Sequence, residues 1–389
     1  MSSPPGKKGS PSRGSPPFDE QGQAGGLGSE EHHYLTVDSG DSADDDFWDS
    51  DAGSITKALD HMIANCRNTR VAQQFDDRYN IAERANIRTN SLDNPGRVEN
   101  GRRYNANAAG QSEYQFPVDE LEQDRLDLMH HIFKSLLHGE LYISPIAGTN
   151  PQRILDLGTG TGIWAIEIAD QFPSAAVVGT DLAPIQPTWV PPNLEFQIDD
   201  CEADWTFGKS TFDFIHIRYL RAAISNWPRL YQQAYDTLRP GGYFEFQDPD
   251  LTFLTDDGSL PEDAALTTYI NHFHQACQKM GKHTRGQPQS VADELYKIGF
   301  EDVKVVVKKC PQNPWPKDPH LKTLGRYSLL NLLDGLEGFA MKLFTGMLGW
   351  SKEEVDIFVL KLKRESVNKH YHMYFNYYFV SGRKPLTAS

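Results

Sequence analysis

RILDLGTGTGIWAIEIADQFPSAAVVGTD, running from Arg153 to Asp181, decides the fold. RILDLG is a short apolar run bounded by glycine, the pattern of a buried strand. GIWAIEIADQF has helical apolar spacing and stops at Pro173; AAVVGTD is a second buried strand. Between the first strand and the helix lies a turn with glycines at 158, 160 and 162. A strand, a glycine turn and a helix in that order open a doubly wound α/β sheet that receives a nucleotide-bearing ligand. Two ligand classes use such a turn. A dinucleotide brings a pyrophosphate to the helix N-terminus, whereas an adenosyl amino acid brings no phosphate.

Working outward, FPVDELEQDRLDLMHHIFKSLLHG precedes the turn as a helix. Leu126, Met129, Phe133, Leu136 and Leu137 share one face, Asp119 and Glu120 sit in the first turn, and Gly139 closes it. Downstream, LEFQIDD and FDFIHIRYL read as the third and fourth strands. SNWPRLYQQAYDTL reads as a helix with Leu230, Ala234 and Leu238 on one side, ended by RPGG, and YFEFQD as the fifth strand. The helix SVADELYKIG and the strand FEDVKVVVKKC follow, and HMYFNYYFVSG forms a long last strand. Strands alternating with helices predict a mostly parallel sheet with helices on both faces. Its C-terminal part should be an antiparallel edge hairpin, with residues 311–370 inserted as a helical cap.

The domain therefore spans 116–389, after an extension at 51–115 and a tail at 1–50. The extension holds one stretch of helical spacing, SITKALDHMI, with Ile55, Leu59 and Met62. The tail is rich in Ser, Gly, Pro and Asp and ends in DSGDSADDDFWDSDAGS, a composition that predicts disorder.

Whole-chain composition narrows the function. The 389 residues are 39% apolar and 11% aromatic, enough for a sizeable core. No apolar run reaches about 18 residues, so no membrane span is expected. The start, MSSPPGKKGSPSRGSPPFDE, lacks an apolar signal core, which favours an intracellular, cytoplasmic protein. GKKGSPSR is too slight to stand as a nuclear signal. Cys66, Cys201, Cys277 and Cys310 form no C-x-x-C pair, a pattern of reducing compartments that argues against structural zinc. A net charge of -15 argues against direct nucleic-acid binding.

The acids of the sheet separate the two ligand classes. Asp156 stands two residues before Gly158 at the end of its strand, where it would repel a pyrophosphate and accept hydrogen bonds from a cationic amino-acid group. Ile163 occupies the position where a dinucleotide fold wants Gly or Ala for close packing. Asp181, at the end of the second strand, is placed to accept both ribose hydroxyls. After the third strand, Asp200 is favoured for the adenine amine, with the following backbone N–H for a ring nitrogen, because Asp199 reads as still within the strand. Any one of these acids could merely cap a helix, but acids at successive strand ends suit S-adenosylmethionine. The cofactor-binding set is thus Asp156, Gly158, Thr159, Gly160, Gly162, Asp181 and Asp200.

GRRY (Gly101 to Tyr104), DLGTGTGIWAIEIADQFP, VVGTDLAPIQP, LRPGGYFEFQD, PWPKDPHLKTLGRY and HMYFNYYFVSGRKP together resemble the LaeA-like family of fungal methyltransferases over about residues 100 to 385. The resemblance implies the seven-stranded class I methyltransferase sheet and S-adenosylmethionine as cofactor. It implies either of two roles. One is a tailoring enzyme methylating N or O of a small molecule in secondary metabolism; the other is a nuclear regulator of secondary-metabolite gene clusters acting through protein partners. Many members carry Cys where Thr159 stands, a departure conservative in size. A nicotinamide oxidoreductase is the third reading, against which Ile163 and Asp156 count.

Methyl transfer is an in-line displacement that needs positioning and water exclusion, and a base only if the acceptor arrives protonated. The catalytic residue is accordingly open. His216, Arg218 and Tyr219 lie near the end of the fourth strand; His216 has the titration range of a base, with a packed strand histidine as the other reading. Gln247 and Asp248 read as substrate contacts or helix caps. His272 and His274, two apart and without a third ligand, suggest no metal site. Tyr104, Tyr114 and Phe116 could form a lid or simply anchor the N-terminal segment, and the cap could select small apolar acceptors or be ordinary core.

Overall fold

Parallel strands covered on both faces are written as unbroken apolar runs, and the sheet is built from such runs. The computed structural model describes residues 36–37, 96–105 and 114–387; the 1–50 tail, the Ile55–Leu59–Met62 helix and Cys66 lie outside these apart from residues 36–37. A two-stranded hairpin, β1 (Arg97–Glu99) and β2 (Arg102–Tyr104), comes first, then α1 (Glu120–Leu136). The nucleotide-fold half follows as β3 (Arg153–Leu157), α2 (Ile163–Gln171), β4 (Ala176–Asp181), β5 (Leu194–Ile198) and β6 (Phe212–Arg218). After it come α3 (Trp227–Thr237), β7 (Leu238–Pro249), α4 (Ala265–Lys279), α5 (Pro288–Ile298) and β8 (Glu301–Pro311). The cap is α6 (Pro319–Leu343) and α7 (Lys352–Ser366), and β9 (Tyr374–Arg383) completes the sheet.

The seven strands lie in the order β5-β4-β3-β6-β7-β9-β8. The first five are parallel, and β9 runs antiparallel to both β7 and β8. This is the class I methyltransferase sheet, with one refinement of the expected edge hairpin: β9 lies inside it, and β8 takes the edge. Burial explains the exchange. Phe375, Tyr377, Tyr378, Phe379 and Val380 of β9 are all buried, whereas β8 carries Lys304, Lys308 and Lys309 and leaves Val307 44% exposed. Lysines on an edge strand deter further pairing.

Two other boundaries differ from the sequence reading. α3 ends at Thr237, and Leu238 already belongs to β7. Pro240 has no N–H to continue a helix, so RPGG joins the strand, with Gly241 in the left-handed region at φ 83. β5 ends at Ile198, so Asp199 lies past the strand and not within it.

α1 anchors the hairpin. Its N-cap Asp119 accepts from the Glu122 backbone N–H, and Arg102 donates to both oxygens of that carboxylate at 2.7 and 2.8 Å. The apolar face of α1 packs on β9: the Phe133 ring meets Tyr377 and Phe379 edge-on, at 5.0 and 6.0 Å between centroids. Truncating Phe133 to Ala would cost about 3–5 kcal/mol at such a site. α4, α6 and α7 pack with α1 on this side of the sheet, while α3 and α5 cover the other. Among the described residues, no helix is long and apolar enough to cross a membrane.

Candidate functional site

The turn after β3 owes its shape to glycines in the left-handed region: Gly158 at φ 64, Gly160 at φ 58 and Gly162 at φ 80. A Cβ on Gly158 would stand 2.5 Å from Leu220 Cδ2, inside a cleft of about 1020 Å3 that opens to solvent. Asp156, Gly158, Thr159, Gly160, Asp181 and Asp200 all line this cleft at the carboxyl ends of the parallel strands. Gly162 does not. It caps the start of α2, and a Cβ there would lie 2.3 Å from Phe196 Cζ, so it serves close helix-to-strand packing behind the turn.

The carboxylates are held by the turn itself. Asp156 Oδ2 accepts from the Thr159 hydroxyl at 2.6 Å. Asp181 accepts from the Gly160 and Ala183 backbone N–H groups at 2.8 and 2.9 Å, and burial raises its pKa to about 6. Asp200 accepts from the Glu202 N–H at 2.9 Å, and Asp199 from the Asp200 N–H at 2.8 Å. Both line the cleft, so the ground for preferring Asp200 disappears.

His216 does not reach the cleft. It is 0% exposed, its ring stacks on Trp164 at 3.7 Å, and Nδ1 bonds Asp156 Oδ1 at 2.8 Å. Its buried Nε2 has no partner. Packed this way it orients Asp156 and cannot touch an acceptor, which corrects the reading of His216 as a base. Arg218 and Tyr219 do line the cleft.

A second cavity of about 870 Å3, counting its open mouth, adjoins the first through Tyr114, Met129, Tyr219 and Ala223, which line both. Its walls are aromatic: Tyr269 and Phe273 from α4, Phe339 from α6, and Phe116. Tyr219 stands between the two spaces at φ 59, a conformation that is uncommon for a non-glycine residue. A buried ion pair forms one polar wall, Arg125 donating to both Glu122 oxygens at 2.8 and 2.7 Å and to Asn331 at 3.0 Å. Asp248 forms another. Its Oδ2 accepts from the Leu220 and Arg221 N–H groups at 2.8 and 3.1 Å, and burial pushes its pKa up to about 7 against the pull of the Arg221 cation. Asp248 thus secures a turn and caps no helix.

Other candidates sort out differently. Gln247 is 0% exposed and donates to Leu141 O and Glu245, away from both cavities. Tyr114 lines both cavities and Phe116 the second, but Tyr104 is buried beneath Lys342 Nζ at 4.5 Å and lines neither. Among the described residues no group of three or more His, Cys, Asp or Glu converges as for a metal; His274 bonds Thr284 and Leu251 O. Sequence reasoning missed His130, which lines the cleft, and the chamber wall of α4, whereas the α6 wall belongs to the cap read as a candidate selector of acceptors. The paired histidines of LMHHIF were the available signal for His130.

The donor set fits an adenosyl amino acid. Asp156, Asp181, Asp199, Asp200 and Glu202 face the cleft, a wall that would repel a pyrophosphate and accept hydroxyl, amine and ammonium donors. A family model for a methyltransferase domain matches residues 128–305. Methyltransferase pytC of Aspergillus terreus is 39% identical over 288 residues, 74% of this chain and 87% of its own. Secondary metabolism regulator LAE1 of Cochliobolus heterostrophus is 37% identical over 75% of this chain and 96% of its own. Protein-methionine methyltransferase laeA of Emericella nidulans is 36% identical, with 76% and 79% covered. With identity at this level across most of these relatives' length, and with the sheet and glycine turn in place, the chain belongs to the LaeA-like family of S-adenosylmethionine-dependent methyltransferases.

Proposed function

We propose that this methyltransferase acts on a nitrogen or oxygen of an apolar, aromatic small molecule of fungal secondary metabolism, held in the chamber beneath α6. The observation that carries the reading is the shared wall at Tyr219, which sets an aromatic chamber beside the cofactor cleft. The bound cofactor supplies an electrophilic methyl group on a sulfonium. Asp181 accepts the ribose hydroxyls, and Asp200 or Asp199 accepts the adenine amine. Asp156 receives the ammonium group with the lone pairs that Thr159 and His216 leave over. Gly158, Thr159 and Gly160 supply a backbone that a ligand can approach closely.

The chamber's own residues orient the acceptor and exclude water. Asp248 commits Oδ2 to the backbone, and Oδ1 is left to take a proton from a phenol, enol or ammonium acceptor. The protein works in the cytoplasm in this reading. A second reading, a nuclear regulator acting through a protein partner, draws support from the relative named a secondary metabolism regulator at 37% identity.

Calorimetric titration with S-adenosylhomocysteine, alongside Asp181→Ala, tests the cofactor assignment. Binding by the wild type that the variant loses is expected; a well-folded wild type that binds nothing would overturn it. Labelled methyl transfer offered to a phenol and amine library, and in parallel to a nuclear extract, then separates the two readings.

A further inference from the structure

The cofactor cleft has a one-sided charge. Five carboxylates line it, of which Glu202 is paired with Lys282 at 2.9 Å, and among the described lining residues Arg218 is the single Lys or Arg. Each group of S-adenosylmethionine but one is suited by those acids: hydroxyls and amine donate hydrogen bonds, and the ammonium and sulfonium are cations. The exception is the α-carboxylate, which such a wall repels and which needs a cation of its own.

Arg218 is held ready for it. Its Nη2 donates to His130 Nδ1 at 2.9 Å, and the acids whose charge reaches it are held by other groups: Asp156 by His216, Glu167 by Lys134 and Asp127 by Thr161. The bond requires an unprotonated Nδ1, so the His130 proton sits on Nε2, 3.4 Å from Glu167 Oε2. Glu167 is fixed in turn by Lys134 at 2.7 Å. Burial and the neighbouring Arg218 cation lower the His130 pKa to about 4, so the imidazole stays a neutral acceptor at working pH. The Phe133 ring, 5.2 Å from the guanidinium carbon, supports the plane from below. Burial lowers the Arg218 pKa to about 10, while Asp156, Glu167 and Asp127 hold its charge in place; the cation persists at neutral pH.

We propose that Arg218, oriented by the neutral imidazole of His130, is the anchor for the α-carboxylate of the cofactor's methionine moiety. The proposal rests on the cofactor assignment above. Arg218 is a binding residue in it, and His130 a positioning residue that acts through Arg218.

The test compares S-adenosylmethionine with its decarboxylated form, which keeps the ammonium, sulfonium and adenosine. Calorimetry would be run on the wild type, Arg218→Gln, Arg218→Lys and His130→Gln. A lost charge-assisted bond of about 1.5–3 kcal/mol corresponds to about 10- to 150-fold in affinity. Arg218→Gln is expected to weaken S-adenosylmethionine by that factor and to change the decarboxylated form by less than about threefold. His130→Gln should shrink the preference for the carboxylated ligand several-fold and leave the other untouched. If Arg218→Gln does not fold, Arg218→Lys carries the test, because an ammonium does not reproduce the guanidinium's oriented donors: its ligand preference should drop several-fold. An unchanged preference in the folded Arg218 variants, or equal weakening of both ligands, overturns the proposal while the cofactor assignment stands. A folded wild type that binds neither ligand removes the assignment and the proposal with it.

Discussion

Replacing Gly162 with Ala isolates the packing function of the third glycine, which lines neither the cleft nor the chamber. The new Cβ would lie 2.3, 2.8 and 3.1 Å from the Phe196 Cζ, Cε1 and Cε2 atoms, and the backbone would hold alanine at φ 80. The left-handed conformation costs a non-glycine residue about 1–2 kcal/mol. Overpacking against a ring that also covers Gly179 adds about 1–3 kcal/mol. The two terms together predict a loss of about 2–5 kcal/mol. They are separable, because Phe196→Leu shortens the ring away from residue 162 and leaves the backbone angle as it was. Reversible urea denaturation of the wild type, both single variants and the double variant, followed by tryptophan fluorescence, gives the cycle. A coupling of about 1–3 kcal/mol in favour of the double variant is expected, with the backbone cost remaining. Coupling below about 0.5 kcal/mol would refute the assignment of the steric cost to Phe196.

Asp181 gives a pH dependence. In the proposed assignment ribose hydroxyls donate to its ionised form, and burial has raised its pKa to about 6. S-adenosylhomocysteine affinity should therefore be flat above about pH 7 and fall by up to about tenfold per unit below pH 6, a slope that Asp181→Asn should flatten. Because the folded pKa lies above the unfolded one, the ligand-free protein has this stabilisation in full below the ordinary carboxylate range and loses it as pH rises through 6; the wild type should lose ground to Asp181→Asn across that window in thermal melts. Glu245 is 0% exposed and accepts from the Ile143 and Ser144 N–H groups at 2.9 and 2.8 Å, so Glu245→Ala should cost about 3–5 kcal/mol in chemical denaturation. A cost under about 1 kcal/mol would show that water replaces the carboxylate there.

The strands were legible because burial on both faces leaves runs such as RILDLG and FDFIHIR with no polar interruption long enough to suggest a helix. That Asp156, Asp181 and Asp200 share one cleft was legible because strand ends in a parallel sheet converge by topology, wherever the side chains settle. Side-chain partners were not. His216 reads as an accessible base in one dimension, but Trp164, on a helix far upstream in sequence, stacks on it and closes it off. The Arg218–His130 bond spans 88 positions and joins a strand to a helix whose apolar spacing points elsewhere. α1 buries Glu122, Arg125, Asp127 and His130 as well as its apolar stripe, because the cavities along its polar side are also covered. Nor does local periodicity carry the lateral order of strands. β8 and β9 are both rich in Val, Phe or Tyr, and only the lysines of β8 hinted which would sit at the edge.

The interior position of β9 has a consequence for how the chain folds in time. From Tyr243 to Pro249, β7 pairs with a strand that begins at Tyr374, beyond the whole cap. During synthesis, residues 243–249 therefore emerge with one row of backbone donors and acceptors unmatched, and β8 has no correct neighbour to join until the last strand arrives. A nascent chain in that condition can pair β7 with β8 directly, or with a neighbouring chain, and either event must be undone before β9 can enter. The fold is thus exposed to aggregation from the completion of β7 at Pro249 until β9 arrives at Tyr374, and chaperone supply or slow, cool expression would govern its yield more than the stability of the finished protein.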